Sequence, residues 1–365
     1  MFELTNEQRK CFALSPVLDA WERVEVKPSP YDKHKTYAYL DGHRVVKVIE
    51  ICEDPMWELY SEYSVNEILS EDKTKILPKT TKGKPQNFTS SNLQKKTRIG
   101  MTISYYTDYV YIYNATTQQD FYRSMYDGVK FENFADFQKW VDSWCSDTGE
   151  KELEEINTFA QRSKVHQKFK EGDFFRYRIN RFLYGYGRII LDYDKMRKEG
   201  TKFWDVFMGK PVCVSVYHIA TEDATLTPEQ LLSKKTLPSQ VIMDNIFYYG
   251  ECEVIGNIPL KEEEKDYPIH YGRSISAKER NRTNYQHGKT FISVKDANAP
   301  HPNYIFNGVG FSLHVILPIL FECIETDSNK PYWEMAPIGW VSGDLRNPKL
   351  KDTLVEIEKY LGISH

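Results

Sequence analysis

The side chains that could hold a metal ion are a few histidines and one pair of aspartates. His270, His287 and His301 fall in one late region of the sequence. His218 follows a predicted strand. A binuclear metal hydrolase needs histidines and carboxylates that converge on one point, and no pair of these histidines has the i, i+4 spacing of a helical metal site. In residues 192–194, two aspartates share one strand face but supply too few oxygen ligands alone. We read them as a solvated strand end.

Common catalytic signatures are absent from the sequence. It contains no Gly-x-Ser-x-Gly, His-Glu-x-x-His or phosphate-loop motif. We therefore expect no catalytic residues, no metal and no cofactor. A metal-dependent phosphoester hydrolase that uses His218, His270, His287 and carboxylates remains the alternative.

The most sharply patterned stretch is residues 169–191, which predicts a β-hairpin rich in aromatic and arginine side chains. Gly172 and Asp173 turn the chain into a strand on which Phe174, Arg176 and Arg178 share one face. Residues 180–182 turn the chain back. The hairpin is typical either of a curved, barrel-forming sheet or of a binding surface, and both interpretations stay open.

The returning strand carries an alternating tyrosine–glycine pattern. It reads Tyr184-Gly185-Tyr186-Gly187-Arg188. Glycines inside a strand allow another backbone or side chain to approach closely. The arginines of the hairpin, Arg178, Arg181 and Arg188, are then expected near tyrosine rings, within range of cation–π contacts.

Composition and charge describe an ordinary soluble protein. The net charge is −4, so the whole molecule is not a polyanion binder. Aromatic residues make up 14% of the chain, and 25 of them are tyrosines. The N-terminus lacks a signal-peptide pattern, and the most apolar window, residues 309–324, is shorter than the roughly 20 residues needed to cross a bilayer. Six well-separated cysteines without a Cys-x-x-Cys motif favour free thiols in a reducing compartment. We expect a cytoplasmic protein without membrane contact.

Two charged segments stand out. Residues 73–98 hold eight Lys or Arg and no Asp or Glu, and predict a basic loop. This loop keeps a nucleic-acid-binding adaptor as a further alternative, but only Phe88 is available there for base stacking, so a nucleic acid partner is not expected. The acidic run Glu262, Glu263 and Glu264 is suited to attract a basic partner.

Hydrophobic periodicity predicts an α+β protein with two mainly antiparallel, β-rich units and flanking helices, the second unit partly barrel-like. A capped helix opens the chain at Thr5, a hairpin spans residues 36–51, and an aromatic helix covers residues 131–144. A charged helix over residues 150–169 is predicted to connect the units.

We place an N-terminal α+β domain of unknown role at residues 1–165. A C-terminal β-rich domain that ends in a helix stopped by Gly362 covers residues 166–365.

The second half resembles the bacterial immunity protein 26 family. Members carry a Gly-Asp-aromatic start and an aromatic-Gly-Tyr-Gly-Arg core that leads into a Val/Ile strand, and the same pieces occur here at residues 172–174 and 184–191. The resemblance covers roughly residues 168–275. It implies a protein encoded beside polymorphic toxin genes that protects the producing cell by binding a toxin. Some members carry a phosphotriesterase label, so the resemblance implies that the hydrolase alternative would be phosphotriesterase-like.

We therefore expect a bacterial immunity protein that neutralises a cognate protein toxin by direct, non-catalytic binding. Tyrosine and arginine are favoured at interface hot spots, and acidic side chains suit a basic toxin. The predicted contact residues, or residues that shape the contact face, are Arg178, Tyr184, Tyr186, Arg188, Glu262, Glu263 and Glu264.

Overall fold

The chain divides into two compact units, Met1–Val165 and His166–His365. The computed structural model describes residues 2–28, 32–204, 210–274, 279–296, 298–303, 333 and 343–363. The apolar window at residues 309–324 lies outside these ranges. Antiparallel sheets and helices occur in both units, so the fold is α+β as predicted.

The first unit is built on one antiparallel sheet, with nine strands among the described residues. Its main path is β1-β2-β3-β4-β7-β8-β9, and the hairpin β5–β6 is attached to β4. The strands are β1 Glu22–Val26, β2 Lys35–Asp41, β3 Arg44–Cys52, β4 Leu59–Leu69, β5 Lys75–Leu77, β6 Gln86–Asn87, β7 Ile99–Tyr106, β8 Tyr109–Asn114 and β9 Gln119–Arg123. The helices are α1 Asn6–Lys10, α2 Ser90–Leu93, α3 Phe134–Ser146 and α4 Glu150–Ala160.

Several local predictions for this unit are confirmed. The Thr5 side chain accepts a hydrogen bond from the backbone N–H of Gln8 in a capping box. Gly42 adopts a φ of +62° in the turn of the predicted hairpin. The aromatic stripe of α3 is core, because Phe137 is buried and stacks on Tyr105 with 4.7 Å between ring centroids.

Two predictions for this unit need correction. The helix predicted over residues 150–169 ends at Ala160. In residues 161–168 the only apolar side chain is Val165, which is exposed, so a longer helix would gain no apolar surface to bury. The segment 73–98 is also not a simple basic loop. It contains β5, β6 and α2, and Lys73 and Lys96 form ion pairs with Glu22 and Glu67.

A histidine helps to hold α2 beside the sheet of the first unit. The Gln94 side chain, which follows α2, donates to Glu50 on β3 at 2.8 Å and lies 3.1 Å from the His34 ring. His34 Nε2 lies 3.6 Å from Glu50 Oε1. The nearby Glu50 carboxylate raises the pKa of His34 against the opposing effect of burial.

The raised pKa predicts a pH-dependent contribution of His34 to stability. The contribution is fully present below the unfolded-state pKa of about 6.5 and is lost as the pH rises through the folded-state pKa. We expect His34→Gln to lower the free energy of unfolding by about 0.5–1 kcal/mol at pH 5 and by less at pH 8, measured by urea denaturation. His43→Gln, in the exposed β2–β3 turn, is the matched control. A His34→Gln effect that is equal at the two pH values would contradict the prediction.

The second unit contains two antiparallel sheets in its described part, with the strand orders β13-β12-β11-β10-β14 and β15-β16-β17. The strands are β10 Asp173–Arg178, β11 Tyr184–Asp192, β12 Pro211–Val216, β13 Gln240–Met243, β14 Cys252–Asn257, β15 Ile269–Arg273, β16 Thr283–His287 and β17 Thr290–Val294. The helices are α5 Tyr193–Lys198, α6 Pro228–Leu232, α7 Asn245–Tyr248 and α8 Lys351–Leu361. Gly362 ends α8 in the left-handed conformation, as predicted.

The second unit departs from prediction in two places. The five-stranded sheet is open, since its edge strands β13 and β14 do not pair with each other in the described structure, so it is not barrel-like. The sequence of residues 241–255 predicts one strand, but the structure has two strands there, β13 and β14, separated by α7. Short apolar runs fit a buried helical turn as well as a strand, and α7 buries Ile246 and Phe247.

Among the described residues, no helix has the length and apolar character needed to cross a membrane. The five cysteines in these ranges carry free thiols, and Cys213 and Cys252 are buried.

Candidate partner-binding site

The predicted hairpin forms and aligns its aromatic and arginine residues on one face. Strand β10 pairs antiparallel with β11, and the register places Phe174 opposite Arg188, Arg176 opposite Tyr186, and Arg178 opposite Tyr184. Side chains alternate between the two faces of a strand, so all six residues share one face. The sequence pattern predicted this face correctly.

The opposite face explains the two glycines of β11. A Cβ atom on Gly185 would come within 2.3 Å of the Tyr177 ring, and one on Gly187 within 2.2 Å of the Phe175 ring. Both rings belong to residues of β10, and each lies over the glycine with which its residue is paired. The expected close approach is therefore made by aromatic side chains of the neighbouring strand, inside the protein core.

A loop of residues 218–227, here called the cover loop, lies over the middle of the arginine–tyrosine face. The Tyr186 hydroxyl donates to the Asp223 carbonyl at 2.6 Å, and Arg176 donates to the Ala224 carbonyl. The backbones of Tyr184 and Thr221 exchange two hydrogen bonds. The Thr227 side chain then caps α6. These bonds fix the position of the loop on the sheet.

The cover loop lies against Tyr186, and residues 258–264, which follow β14, lie against Arg188. Both side chains are therefore buried, with exposed fractions of 0% and 3%. Direct contact with a partner, the first of the two predicted roles, is therefore not available to these side chains as they are buried here, and a role in shaping the contact face stays a prediction. Arg188 forms an ion pair with Glu264 at 2.6 Å and donates to the Ile258 carbonyl at 2.8 Å. Its guanidinium lies 4.6 Å from the centroid of the Phe174 ring.

One residue of the acidic run, Glu264, is occupied by the ion pair with Arg188. Burial opposes ionisation of Glu264, but the Lys261 backbone N–H and Arg188 outweigh it and lower the pKa of the carboxyl. Glu262 and Glu263 are exposed, and Glu262 forms an ion pair with Lys265. Two of the three predicted acidic contacts therefore remain on the surface.

The far end of the hairpin exposes a second group of predicted residues. Arg178 donates to the Tyr184 hydroxyl at 2.8 Å and to the Arg181 carbonyl at 2.7 Å, and both Arg178 and Tyr184 are half-buried. Phe182, in the turn between them, is 45% exposed. We call Arg178, Phe182 and Tyr184 the hairpin end.

The hairpin end and the acidic run do not form one site. Arg188, which holds Glu264, lies four residues along β11 from Tyr184, which corresponds to about 14 Å of extended strand. The side chains exposed near the hairpin end are instead those of the cover loop, Glu222 and Asp223. Sequence reasoning missed Phe182 and both acids. A large aromatic residue inside a predicted turn was the available signal for Phe182.

No group of three or more His, Cys, Asp or Glu suited to a metal ion occurs in the described structure. His270 and His287 lie on neighbouring strands but point to opposite faces, since Ile269 is the residue paired with His287. His301 lies 2.9 Å from Glu356. The described residues therefore do not bring the candidate metal ligands together.

The two aspartates at the end of β11 have structural roles. Asp192 caps α5 by accepting a hydrogen bond from the Lys195 backbone. Asp194 is buried and forms ion pairs with Arg197 and Lys198. This corrects the solvated strand end expected from the sequence, because the strand passes directly into a helix.

Comparison with known proteins supports the resemblance seen in the sequence. Residues 170–281 match the family model described as Immunity protein 26. No curated protein sequence matches the chain, and no solved structure matches it. The matched segment contains the hairpin, the cover loop and the acidic run, and it supports an immunity role in general.

Proposed function

We propose that this protein neutralises a bacterial protein toxin inside the producing cell by direct, non-catalytic binding. The observation that carries the proposal is the match of residues 170–281 to the Immunity protein 26 family. An immunity role implies a toxin partner. Because the described structure assembles no metal-ligand group, it gives the hydrolase alternative no specific support.

The hairpin end is the part of the matched segment best suited to contact a toxin. Its exposed Phe182 is flanked by Arg178 and Tyr184, which hold each other in place by a hydrogen bond and by a guanidinium 4.9 Å from the ring centroid. Aromatic and arginine side chains dominate interface hot spots, and pre-organised side chains lose little entropy on binding. Glu222 and Asp223 add negative charge beside them.

The function is tested by co-expressing the protein with candidate toxins encoded beside its gene. We expect one toxin to be neutralised and to be retained by the purified protein at one-to-one stoichiometry. If no candidate binds at micromolar concentration, or if the protein destroys the toxin or a phosphotriester catalytically, the binding function is wrong.

The proposed contact surface is tested separately with Phe182→Ser. Truncating a central aromatic anchor costs about 2 kcal/mol or more, so we expect at least roughly 30-fold weaker toxin binding in calorimetry, with unchanged thermal stability. The matched control is Val355→Ser, which removes a similarly exposed apolar side chain from α8. Wild-type affinity in Phe182→Ser would reject the hairpin end as the contact surface while leaving the immunity function in place.

A further inference from the structure

Three turns at one end of the first unit's sheet expose large apolar side chains. They are residues 53–58 before β4, residues 107–108 between β7 and β8, and the 3₁₀ turn Ser124–Tyr126 after β9. We call their exposed aromatic and methionine side chains the aromatic end. Its members are Met56, Trp57, Tyr106, Tyr109 and Met125.

Backbone contacts place these turns side by side. Leu59 pairs with Tyr106 across β4 and β7, and the Thr107 N–H donates to the Glu58 carbonyl at 3.1 Å. The rings of Tyr106 and Tyr109 face each other across the next turn, with centroids 5.5 Å apart. The Val110 N–H donates to Ser124 Oγ at 2.8 Å, which brings Met125 to the same end.

The exposure of these side chains is unusual for a surface that stays in water. The exposed fractions range from 37% for Tyr106 to 77% for Met56. Exposed apolar residues are normally scattered, and contiguous groups mark interaction sites. Tryptophan, tyrosine and methionine are the residue types enriched in protein interfaces.

Charge identifies the chemistry of the partner. Residues 53–58, 106–109 and 124–128 contain no Lys, Arg or His. The acidic side chains Asp54, Asp108 and Asp127 are exposed around the aromatic end. This negative rim repels nucleic acid and anionic lipid, and it attracts lysine and arginine. The aromatic faces also attract these cations by cation–π contacts.

We propose that the aromatic end is a docking surface for a basic segment of a partner protein, in which arginine or lysine alternates with apolar residues. Trp57 and Tyr109 receive the apolar and cationic side chains, and Asp54 and Asp108 pair with the charges. This inference does not rest on toxin neutralisation, because the surface belongs to the first unit, outside the segment matched to the immunity family.

The test uses a fluorescent twelve-residue peptide of alternating arginine and leucine, with a glutamate–leucine peptide as the charge control. Anisotropy of the full chain should show binding of the basic peptide alone, with affinity that falls as salt rises. The double variant Trp57→Ser/Tyr109→Ser should bind it at least tenfold more weakly. The matched control Ile68→Ser/Ile99→Ser removes two similarly exposed apolar side chains from other positions of the same sheet and should bind normally.

Three results would overturn the proposal. The basic peptide does not bind, or it binds Trp57→Ser/Tyr109→Ser with wild-type affinity, or both peptides bind equally well. Sedimentation of the chain without peptide measures its oligomeric state and can also overturn the proposal. A dimer that Trp57→Ser/Tyr109→Ser dissociates would assign the surface to a second copy of this chain instead of a basic partner.

Discussion

Replacing Glu62 by glutamine will lower the free energy of unfolding of the first unit by about 3–5 kcal/mol, since the substitution leaves buried cations without their counter-charge. The Glu62 carboxylate is inaccessible to solvent and receives hydrogen bonds from Arg9, Lys47 and the Tyr60 hydroxyl. The Lys47 ammonium is buried as well and also donates to the Ser15 carbonyl. Glutamine keeps the shape of the side chain but removes the negative charge that stabilises both cations.

The same network gives the variant a distinct pH dependence. Burial opposes ionisation of Glu62, but Lys47 and Arg9 outweigh it and hold the pKa of the carboxyl below its usual value. The stability contributed by the charge is therefore present above the unfolded-state pKa, about 4.5, and is lost as the pH falls through the folded-state pKa. The difference between wild type and Glu62→Gln should shrink when the pH falls below 4.5.

Urea denaturation at pH 7, with hydrogen exchange at β3 and β4 to assign the loss to the first unit, measures the effect. The matched control is Glu67→Gln on the same strand, whose pair with Lys96 is partly exposed and should contribute at most about 1 kcal/mol. Adding Lys47→Met to Glu62→Gln should recover part of the lost stability. Equal stabilities of Glu62→Gln and wild type at pH 7 would show that the network does not stabilise the unit.

Local sequence patterns predicted the parts of the fold that depend on near neighbours. Alternation placed Phe174, Arg176 and Arg178 on one strand face, and the capping residue Thr5 marked the start of α1. Such patterns reflect side-chain periodicity and backbone hydrogen bonds within a few residues. They do not show what covers a face once the chain folds.

The burial of two predicted site residues, Tyr186 and Arg188, follows from this limit. Arg188 and Glu264 are 76 residues apart, and each was predicted to contact a partner or to shape the contact face. The structure pairs them with each other, which their sequence positions do not indicate. Tyr186 is covered by a loop that begins about 30 residues later in the chain. Contacts over such separations come from the packing of elements, so a single sequence gives residue type and face but not exposure.

The aromatic end shows the same limit for a surface. Trp57, Tyr109 and Met125 lie in or beside three separate turns. Taken alone, each is an ordinary exposed apolar residue near a loop. Only the order of strands β4, β7, β8 and β9 in the sheet brings them together. Their acidic neighbours become a common rim for the same reason.

Gly187→Ala is expected to lower the free energy of unfolding of the second unit by about 3 kcal/mol, at the upper end of the cost of overpacking a core. A Cβ atom at this position would lie 2.2 Å from Phe175 Cζ. The Phe175 ring is fully buried and packs edge-to-face on Phe247 at 5.2 Å between centroids, so it has no free space to move into.

A second substitution separates this clash from other effects of removing a glycine. Replacing the Phe175 ring by the smaller leucine side chain should make room for the alanine. The double variant Gly187→Ala/Phe175→Leu should therefore be about 1–2 kcal/mol more stable than the sum of the two single effects predicts. Gly200→Ala is the control, because Gly200 has a φ of +84° and open space around its Cβ position. Its cost reflects backbone strain alone, and Phe175→Leu should not reduce it. Additive effects of Gly187→Ala and Phe175→Leu in urea denaturation would show that β11 needs Gly187 for its backbone and not for the ring of Phe175.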